Sequence, residues 1–410
     1  MTNSSSSRPS GIVRFGDRAN VRWNRQLQAA AWIALVLLLP LMYGWSLAFA
    51  DSQAAVAVPE KVAPDTSAQE IQHNGRQLIH QAYELTKVAQ QIDEYEQIID
   101  ICKQAMLEDL PKDHLKYTKR LMSWSHNKRG EVRTDEASEV AAEGDTERAT
   151  EFDRLAMEDF ETSILLDNTR WKAYHNRGIN FAVRGDYEKA MEDFEKTSEL
   201  NPRYVNAWFN LGEIHYDTGN FEQAIEKYNE VIRLRPDDTE AHRGRANSYH
   251  SLRLYRKALA DFDEAITLEP GSAVMHAERA DVHGRLGNWA KAAADYRQAI
   301  ELDNELGRAY QGAAWIMATC PVDRFRDTDR ALQAATRAIE LDGDQDYRYL
   351  DTMAAAQAAN GNYEDAMSHM EKAIDVAPES EREQLESRRT LYESEKPFRQ
   401  AFRLKRATRR

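Results

Sequence analysis

Apolar and small residues recur at helical spacing along the stretch from Trp171 to Pro202. In its first half they fall at positions i, i+4 and i+7, the spacing that places side chains on one face of a helix. Gly185-Asp186 interrupts the pattern, and glycine followed by a capping aspartate is typical of a turn that leads into a second helix. Pro202 prevents this second helix from continuing. The residues on the two predicted faces are Tyr174, Gly178 and Phe181, then Tyr187, Ala190 and Phe194.

The same pattern repeats with a period of 34 residues. Small residues and large rings keep their positions in each copy, so the pattern predicts a row of similar helix pairs. A single pair leaves apolar surface exposed, and stacking against neighbouring pairs covers it. The positions in phase are Gly178, Gly212, Ala246, Ala280 and Ala314; Ala190, Ala224, Ala258 and Ala292; Phe194, Tyr228, Phe262 and Tyr296; and Pro202, Pro236 and Pro270.

One copy, from Val205 to Asp238, resembles the tetratricopeptide repeat (TPR) family almost fully. The resemblance implies an all-α fold, a right-handed solenoid of about eight helix-turn-helix units that ends in a capping helix. It also implies a protein that binds other proteins and needs no cofactor. The residues that carry the resemblance are Trp208, Leu211-Gly212, Ala224, Tyr228 and Pro236.

Two repeats are longer than the others. The extra residues 136–149 in the second repeat predict a longer helix pair or a mobile acidic loop, and the alternative is a partner-specific protrusion. In the seventh repeat, the segment around Cys320-Pro321 replaces a short turn. It is similar to an Ala-Thr-Cys-Pro insertion in a subgroup of exported bacterial TPR proteins. The predicted domains are 1–50, a signal peptide or membrane anchor; 51–76, a flexible linker; 77–378, the TPR solenoid; and 379–410, a capping helix and basic tail.

The N-terminal region predicts export. Residues 1–28 are basic, and residues 29–50 form an uncharged apolar run that ends in Ala48-Phe49-Ala50. This order is typical of a secretory signal cleaved after Ala50. The run is also long enough to span a bilayer and to remain as a tether. Both alternatives place the repeats outside the cytoplasmic membrane, in the periplasm or cell envelope.

Composition and motifs indicate a protein that binds rather than catalyses. The net charge of −14 argues against nucleic-acid binding by the whole body. The two cysteines, Cys102 and Cys320, exclude a disulfide framework and a four-cysteine zinc site. No Walker loop, nucleophile elbow or HExxH motif is present, so we expect no catalytic residue, no metal and no cofactor. Histidines such as His242 and His276 stand at positions that other repeats fill with aromatic rings, and they predict packing rather than metal binding.

By the family's pattern, defined positions of the first helix in each repeat point into a concave groove. Aromatic residues among arginines and asparagines favour the binding of a peptide there. The pattern of the chaperone-binding members is incomplete, because Glu278 and Gly312 occupy places that require an asparagine and a basic residue. The predicted partner-binding residues are Phe209, Glu213, Tyr216, Arg243, Asn247, His250, Arg285, Arg308, Gln311 and Trp315.

The sequence therefore predicts a non-enzymatic scaffold or adaptor that captures a peptide or helix of a protein partner. One alternative is a structural spacer in a cell-envelope complex. Another is a protein that binds a metal or a small ligand through its histidines.

Overall fold

The computed structural model describes residues 66–401, with side chains from Asn74 onward. Within these residues it contains 17 α-helices, one 3₁₀ helix and no β-strand, which confirms the all-α prediction. Among the helices of this range, none combines the length and the apolar character needed to cross a bilayer. The predicted signal or anchor segment, most of the predicted linker and residues 402–410 lie outside the described residues.

The chain divides into two compact units, residues 1–214 and residues 215–410, and the boundary falls within one helix. In the N-terminal unit, the first helix begins at Thr66, so the end of the predicted linker is helical. Its residues up to Arg76 contain no proline, so nothing among them prevents the helix from starting before the predicted boundary. The helices are α1 (Thr66–Thr86), α2 (Ile92–Met106), α3 (Lys112–Ala142), α4 (Thr146–Leu166), α5 (Trp171–Arg184), α6 (Tyr187–Leu200) and α7 (Val205–Asp217), which crosses the boundary.

The C-terminal unit continues the helix-turn-helix order. Its final helix, α17, follows the last repeat and packs on α16, as a cap is expected to do. The helices are α8 (Phe221–Leu234), α9 (Thr239–Ser251), α10 (Tyr255–Leu268), α11 (Ala273–Arg285), α12 (Trp289–Leu302), α13 (Gly307–Thr319), a 3₁₀ helix (Asp323–Phe325), α14 (Thr328–Asp342), α15 (Tyr347–Ala359), α16 (Tyr363–Val376) and α17 (Glu379–Glu393).

Small residues and aromatic rings meet within each unit, at the periodic pair 178 and 194 and also at Gly312, which is not one of the periodic positions. Phe194 is fully buried, and a Cβ added at Gly178 would lie 2.9 Å from its Cε1 atom. In the C-terminal unit, a Cβ at Gly312 would lie 2.3 Å from Cε1 of Tyr296. A side chain at either glycine would therefore force the ring or the backbone to move, which explains the small residue there.

A buried ion pair joins the two helices of several repeats. Arg245 of α9 binds Asp261 of α10 through two hydrogen bonds of 2.8 and 2.6 Å. Arg279 and Asp295 repeat this pair one period later, with distances of 2.9 and 2.7 Å. Two parallel hydrogen bonds to one carboxylate fix the guanidinium geometry, so each pair sets the register of its hairpin.

The extra residues of the second repeat lengthen its helices instead of forming a loop. Helices α3 and α4 contain 31 and 21 residues and pack against each other along the hairpin. Ala137, Val140 and Ala149 of the added length are buried. Between the longer helix pair and the loop predicted for residues 136–149, the structure contains the longer helix pair.

In most repeats, the turn between the two helices contains a residue in the left-handed conformation. In the C-terminal unit, Gly287 and Gly361 have φ angles of 72° and 87° at this position. Arg253 occupies the same position one period before Gly287, with a φ angle of 59°. Glycine adopts this conformation at little cost, whereas a residue with a Cβ is strained by about 1 kcal/mol or more.

Candidate partner-binding site

A buried carboxylate in the C-terminal unit already binds three of the predicted partner-binding residues. Glu278 of α11 is 5% exposed and accepts a hydrogen bond of 3.0 Å from Nε of Arg243. Nδ2 of Asn247 lies 3.3 Å from Glu278, and Nη1 of Arg308 lies 3.4 Å from it. The charges of Arg243 and Arg308 are thus paired within the unit, and the amide of Asn247 has a partner in the same carboxylate.

Arg308 belongs to a second contact beside this cluster. Its Nη2 atom donates to Asp281 at 2.7 Å, and the hydroxyl of Tyr296 donates to the other oxygen of the same carboxylate. Burial raises the pKa of Tyr296 well above its usual value, and the charge of Asp281 adds to the shift. Tyr296 therefore stays a neutral donor at physiological pH. Arg308 and Asp281 keep 41% and 30% of their side chains exposed, so this part of α11–α13 is a partly exposed polar network whose charges are paired within the unit.

Two predicted residues lie in the N-terminal unit, and one of them is not an exposed anchor. Phe209 was expected to present its ring to a partner, but it is only 3% exposed. A large apolar ring is stabilised by about 2–3 kcal/mol when it leaves water, so packing takes precedence over presentation. Glu213, one turn later on α7, is half-buried.

Tyr216 and Gln311 of the C-terminal unit are also held by neighbours. The ring of Tyr216 lies 5.5 Å from that of Phe221, and burial raises the pKa of its hydroxyl. Gln311 donates from Nε2 to Oγ1 of Thr352 at 2.7 Å. Both side chains are half-buried.

The last described residues cover Trp315. The ring of Phe398 lies 5.8 Å from the indole, and the guanidinium of Arg388 lies 5.6 Å from the indole and 5.4 Å from the Phe398 ring. Arg388 in turn makes two 2.8 Å hydrogen bonds to Asp351 of α15. The predicted anchor is therefore stacked against the chain's own C-terminal segment.

Residues 397–401, named here the C-terminal segment, are fixed by hydrogen bonds to the end of α13. The backbone N–H of Gln400 donates to the carbonyl of Thr319 at 2.9 Å, and its side chain donates to Oγ1 of Thr319 at 2.7 Å. Arg399 donates to the carbonyl of Ala318 at 2.9 Å. These bonds satisfy carbonyls that the end of a helix leaves without partners.

An open cleft of about 1110 Å³ lies beside this segment, within the C-terminal unit. It brings together His250, Arg285 and Trp315 from the predicted set. Burial lowers the pKa of His250, so its ring is neutral at physiological pH. Sequence reasoning missed the other lining residues, which lie in turns, at the start of α12, in the cap and in the C-terminal segment. They include Arg253, Trp289, Lys291, Arg324, Phe325, Arg388 and Phe398.

One signal in the sequence points to this cleft. Arg253 occupies the turn position that glycine fills in other repeats, and the departure is visible from the period alone. Trp289 and Lys291 follow the next such turn, whereas Phe325 belongs to the lengthened seventh repeat. No periodic position predicts the contribution of Phe398.

His242, His276 and Cys102 are buried and serve as packing residues. His242 and His276 are buried, and their Nε2 atoms lie 2.9 and 3.3 Å from the carbonyls of Pro236 and Pro270. Cys102 is fully buried in the N-terminal unit, and burial raises the pKa of its thiol to about 12. Over residues 66–401, no group of three or more His, Cys, Asp or Glu side chains is arranged to hold a metal ion.

Comparison with known proteins identifies repeats of one kind. Family models described as tetratricopeptide repeat match residues 175–239, 214–273, 243–307 and 347–380. Among curated proteins, none matches the sequence.

Several solved structures are similar to the chain at low identity. A tetratricopeptide repeat protein from Parabacteroides merdae is 16% identical, with a TM-score of 0.48, and the match covers 64% of this chain and 98% of that one. The Cut9-Hcn1 hetero-tetramer of the APC/C is 14% identical, with a TM-score of 0.49, over 76% of this chain and 55% of that one. YrrB, described as a TPR protein with an unusual peptide-binding site, is 20% identical, with a TM-score of 0.36, over 43% and 88%.

Proposed function

The chain belongs to the tetratricopeptide repeat family, and on this premise we propose that it is a non-enzymatic scaffold that binds a peptide or helix of a protein partner. The family generally binds proteins or peptides and is generally non-enzymatic. For this chain, the proposed binding surface is the cleft of the C-terminal unit. Its preformed walls would bind a segment without first being ordered, which lowers the entropic cost of association.

The observation that carries the proposal is the character of this cleft. It combines aromatic rings with cationic side chains along an open path, which is the composition of peptide grooves with anchor pockets. The groove positions around Glu278 support it less, because their donors are already bound within the unit.

A blocking substitution tests where a peptide binds. Peptides of about ten residues, long enough to cross the cleft when extended, are selected from a random display library on the full chain in mild detergent. Ala290 is exposed and lines the cleft, whereas Ala260 is exposed on α10 and does not line it. We expect Ala290→Trp to weaken the selected peptides at least about tenfold, and Ala260→Trp to leave their affinity unchanged.

The same experiment distinguishes peptide binding in the cleft from the main alternative, a structural spacer. If no peptide is enriched, or if both tryptophan variants bind equally well, the cleft is not a peptide site. The chain would then act as a structural spacer in a cell-envelope complex.

The proposed location is the cell envelope, reached through residues 29–50. The basic residues before this run and the small residues at its end support either a cleaved signal or a membrane tether. Intact mass measurement of the protein isolated from membranes and from the periplasm tests both. A chain that retains its N-terminus in the cytoplasmic fraction would contradict export.

A further inference from the structure

The turn residue Arg253 marks one edge of the cleft with a strained conformation. Its φ angle of 59° lies in the region that glycine adopts at little cost, and the corresponding residues of four other turns, Gly185, Gly219, Gly287 and Gly361, are glycines. Side chains held in such a conformation cluster at functional sites, where the strain is tolerated because the residue is needed. Arg253 is exposed and lines the cleft. At this turn, an arginine that faces the cleft therefore stands in place of the glycine that the conformation favours.

The cations of the cleft also differ from those of the helix pairs. Arg245 and Arg279 each bind a buried aspartate on the neighbouring helix. By contrast, among residues 66–401 no carboxylate forms an ion pair with Arg253, Arg285 or Lys291, and all three are exposed. Arg253, Arg285 and Lys291 are therefore cations of the cleft that no bound carboxylate neutralises within the described residues.

A fourth cation and several rings complete the lining. Arg324 is exposed and lies 4.8 Å from the centre of the Phe325 ring, with no carboxylate paired to it in the described part of the chain. Trp289 and Phe398 add apolar surface on the other walls. The one acidic lining residue is Glu381, and Arg388 is neutralised by Asp351. The cleft therefore offers separate cationic and aromatic positions to a ligand.

We propose that this cleft binds an acidic segment of a partner protein, with carboxylates at Arg253, Arg285, Lys291 and Arg324 and an apolar side chain against Trp289 or Phe325. The inference rests on the proposed peptide-binding function and adds the chemistry of the ligand. Charge complementarity carries the argument, because four exposed cations surround one open space.

The same charges favour a peptide over a larger polyanion. Electrostatic interactions extend over about 8–10 Å at physiological salt. A membrane surface or a long nucleic acid would extend beyond the cleft and meet a protein of net charge −14. A short acidic segment places its carboxylates within the cleft and avoids that repulsion.

The test compares two variants of the cleft with a matched control. Probes are a fluorescein-labelled peptide of about ten residues, rich in Glu and Asp around one Trp, and its Gln/Asn counterpart of the same length. Arg253→Gly restores the residue of the other turns, so it removes a cation without straining the backbone. Arg285→Gln removes a second cation. Arg297→Gln is the control, since Arg297 is exposed on α12 and does not line the cleft.

We expect the acidic peptide to bind the full chain more tightly than its neutral counterpart, with an affinity that falls as salt rises from about 50 to about 300 mM. Arg253→Gly and Arg285→Gln should each weaken it about tenfold, and Arg297→Gln should not. Arg253→Gly should also leave the thermal unfolding midpoint unchanged or higher, so that loss of binding is separated from loss of folding.

Three outcomes overturn the proposal. The neutral peptide binds as well as the acidic one, or Arg297→Gln weakens binding as much as the cleft variants, or anionic vesicles or an oligonucleotide bind more tightly than the peptide. If library peptides bind in the cleft but are not acidic, the proposed function survives and this inference fails. If no peptide binds there at all, both fail.

Discussion

The long hairpin of the N-terminal unit and the capped end of the C-terminal unit each contain a buried aspartate, and the two are stabilised differently. Asp159 on α4 is 2% exposed and meets three side chains of α3. Its oxygens lie 2.7 Å from Nδ1 of His126, 2.8 Å from Nη2 of Arg129 and 2.6 Å from Nη1 of Arg133. Asp351 on α15 is 7% exposed and has one cationic partner, Arg388.

The number of partners decides which way each pKa moves. Burial alone would raise the pKa of Asp159, but the hydrogen bonds from His126 and Arg129 and the charge of Arg133 outweigh it, and the pKa is lowered. Burial raises the pKa of Asp351 to about 6, because the single arginine offsets only part of the loss of water. A buried carboxylate is therefore a stabilising charge in the first region and a costly one in the second.

Removing Asp159 should have the largest effect. Asp159→Ala leaves Arg129 and Arg133 partly buried without a carboxylate, and we expect a loss of about 3–5 kcal/mol in the free energy of unfolding. Urea unfolding of the full chain measures it. The neighbouring Glu158 is exposed and pairs with Arg154 on the surface, so Glu158→Ala should change stability by less than about 0.5 kcal/mol. Equal losses in the two variants would contradict the buried role of Asp159.

The second prediction uses pH to separate the two regions. The folded pKa of Asp351 lies above its unfolded value, so the stability it contributes is complete below about pH 4 and is lost as pH rises through about 6. Asp351→Asn removes this titration. Relative to wild type, the variant should therefore gain about 2–3 kcal/mol between about pH 4 and pH 7.

The contribution of Asp159 to stability changes with pH in the opposite direction, because its folded pKa is lowered. Its contribution is present above the unfolded pKa of about 4 and is lost as pH falls below it. Urea midpoints of Asp351→Asn and of wild type, compared between about pH 4 and pH 7, measure the gain in stability predicted for the variant. A stability difference that stays constant with pH would show that Asp351 titrates normally.

The smallest effect is expected in a regular repeat, where one arginine binds one buried and one exposed aspartate. Arg279 contacts Asp295, whose side chain is 11% exposed, and Asp263, whose side chain is 64% exposed. Asp295→Asn should cost about 1–2 kcal/mol, and Asp263→Asn less than about 0.5 kcal/mol. Chemical unfolding of both variants provides the comparison. If the exposed pair cost as much as the buried one, solvent screening would not be the deciding factor.

The period of the sequence was sufficient to predict the helix pairs and their cores. A small residue at 178 leaves room for the ring at 194, and in the structure this ring packs directly against Gly178. The lengthened helices α3 and α4 left two alternatives open, because an Ala- and Glu-rich insertion suits both a helix and a solvated loop. Packing of Ala137 and Val140 selects the helix, and packing is a property of the folded unit.

The candidate site was less predictable, for reasons visible at single residues. Phe209 has the residue type of an anchor and also of a core ring, and its position alone does not separate the two. The donors of Arg243 and Arg308 are bound by Glu278. The three residues lie on three helices, so their contact can be recognised only once the arrangement of these helices is known. The C-terminal segment donates hydrogen bonds to backbone carbonyls. Because every residue has such a carbonyl, the residue types do not predict this contact.

The attachment of Gln400 to Thr319 has a consequence for how the chain is made. These residues are 81 positions apart, whereas the arginine and aspartate of a regular hairpin are 16 apart. Early hairpins can form as soon as their own residues leave the ribosome. The region around Trp315 has to wait for the far end of the chain, and closing so large a loop slows folding. During synthesis, the indole and the end of α13 therefore stay uncovered longest. A chaperone that binds the nascent chain would bind it there.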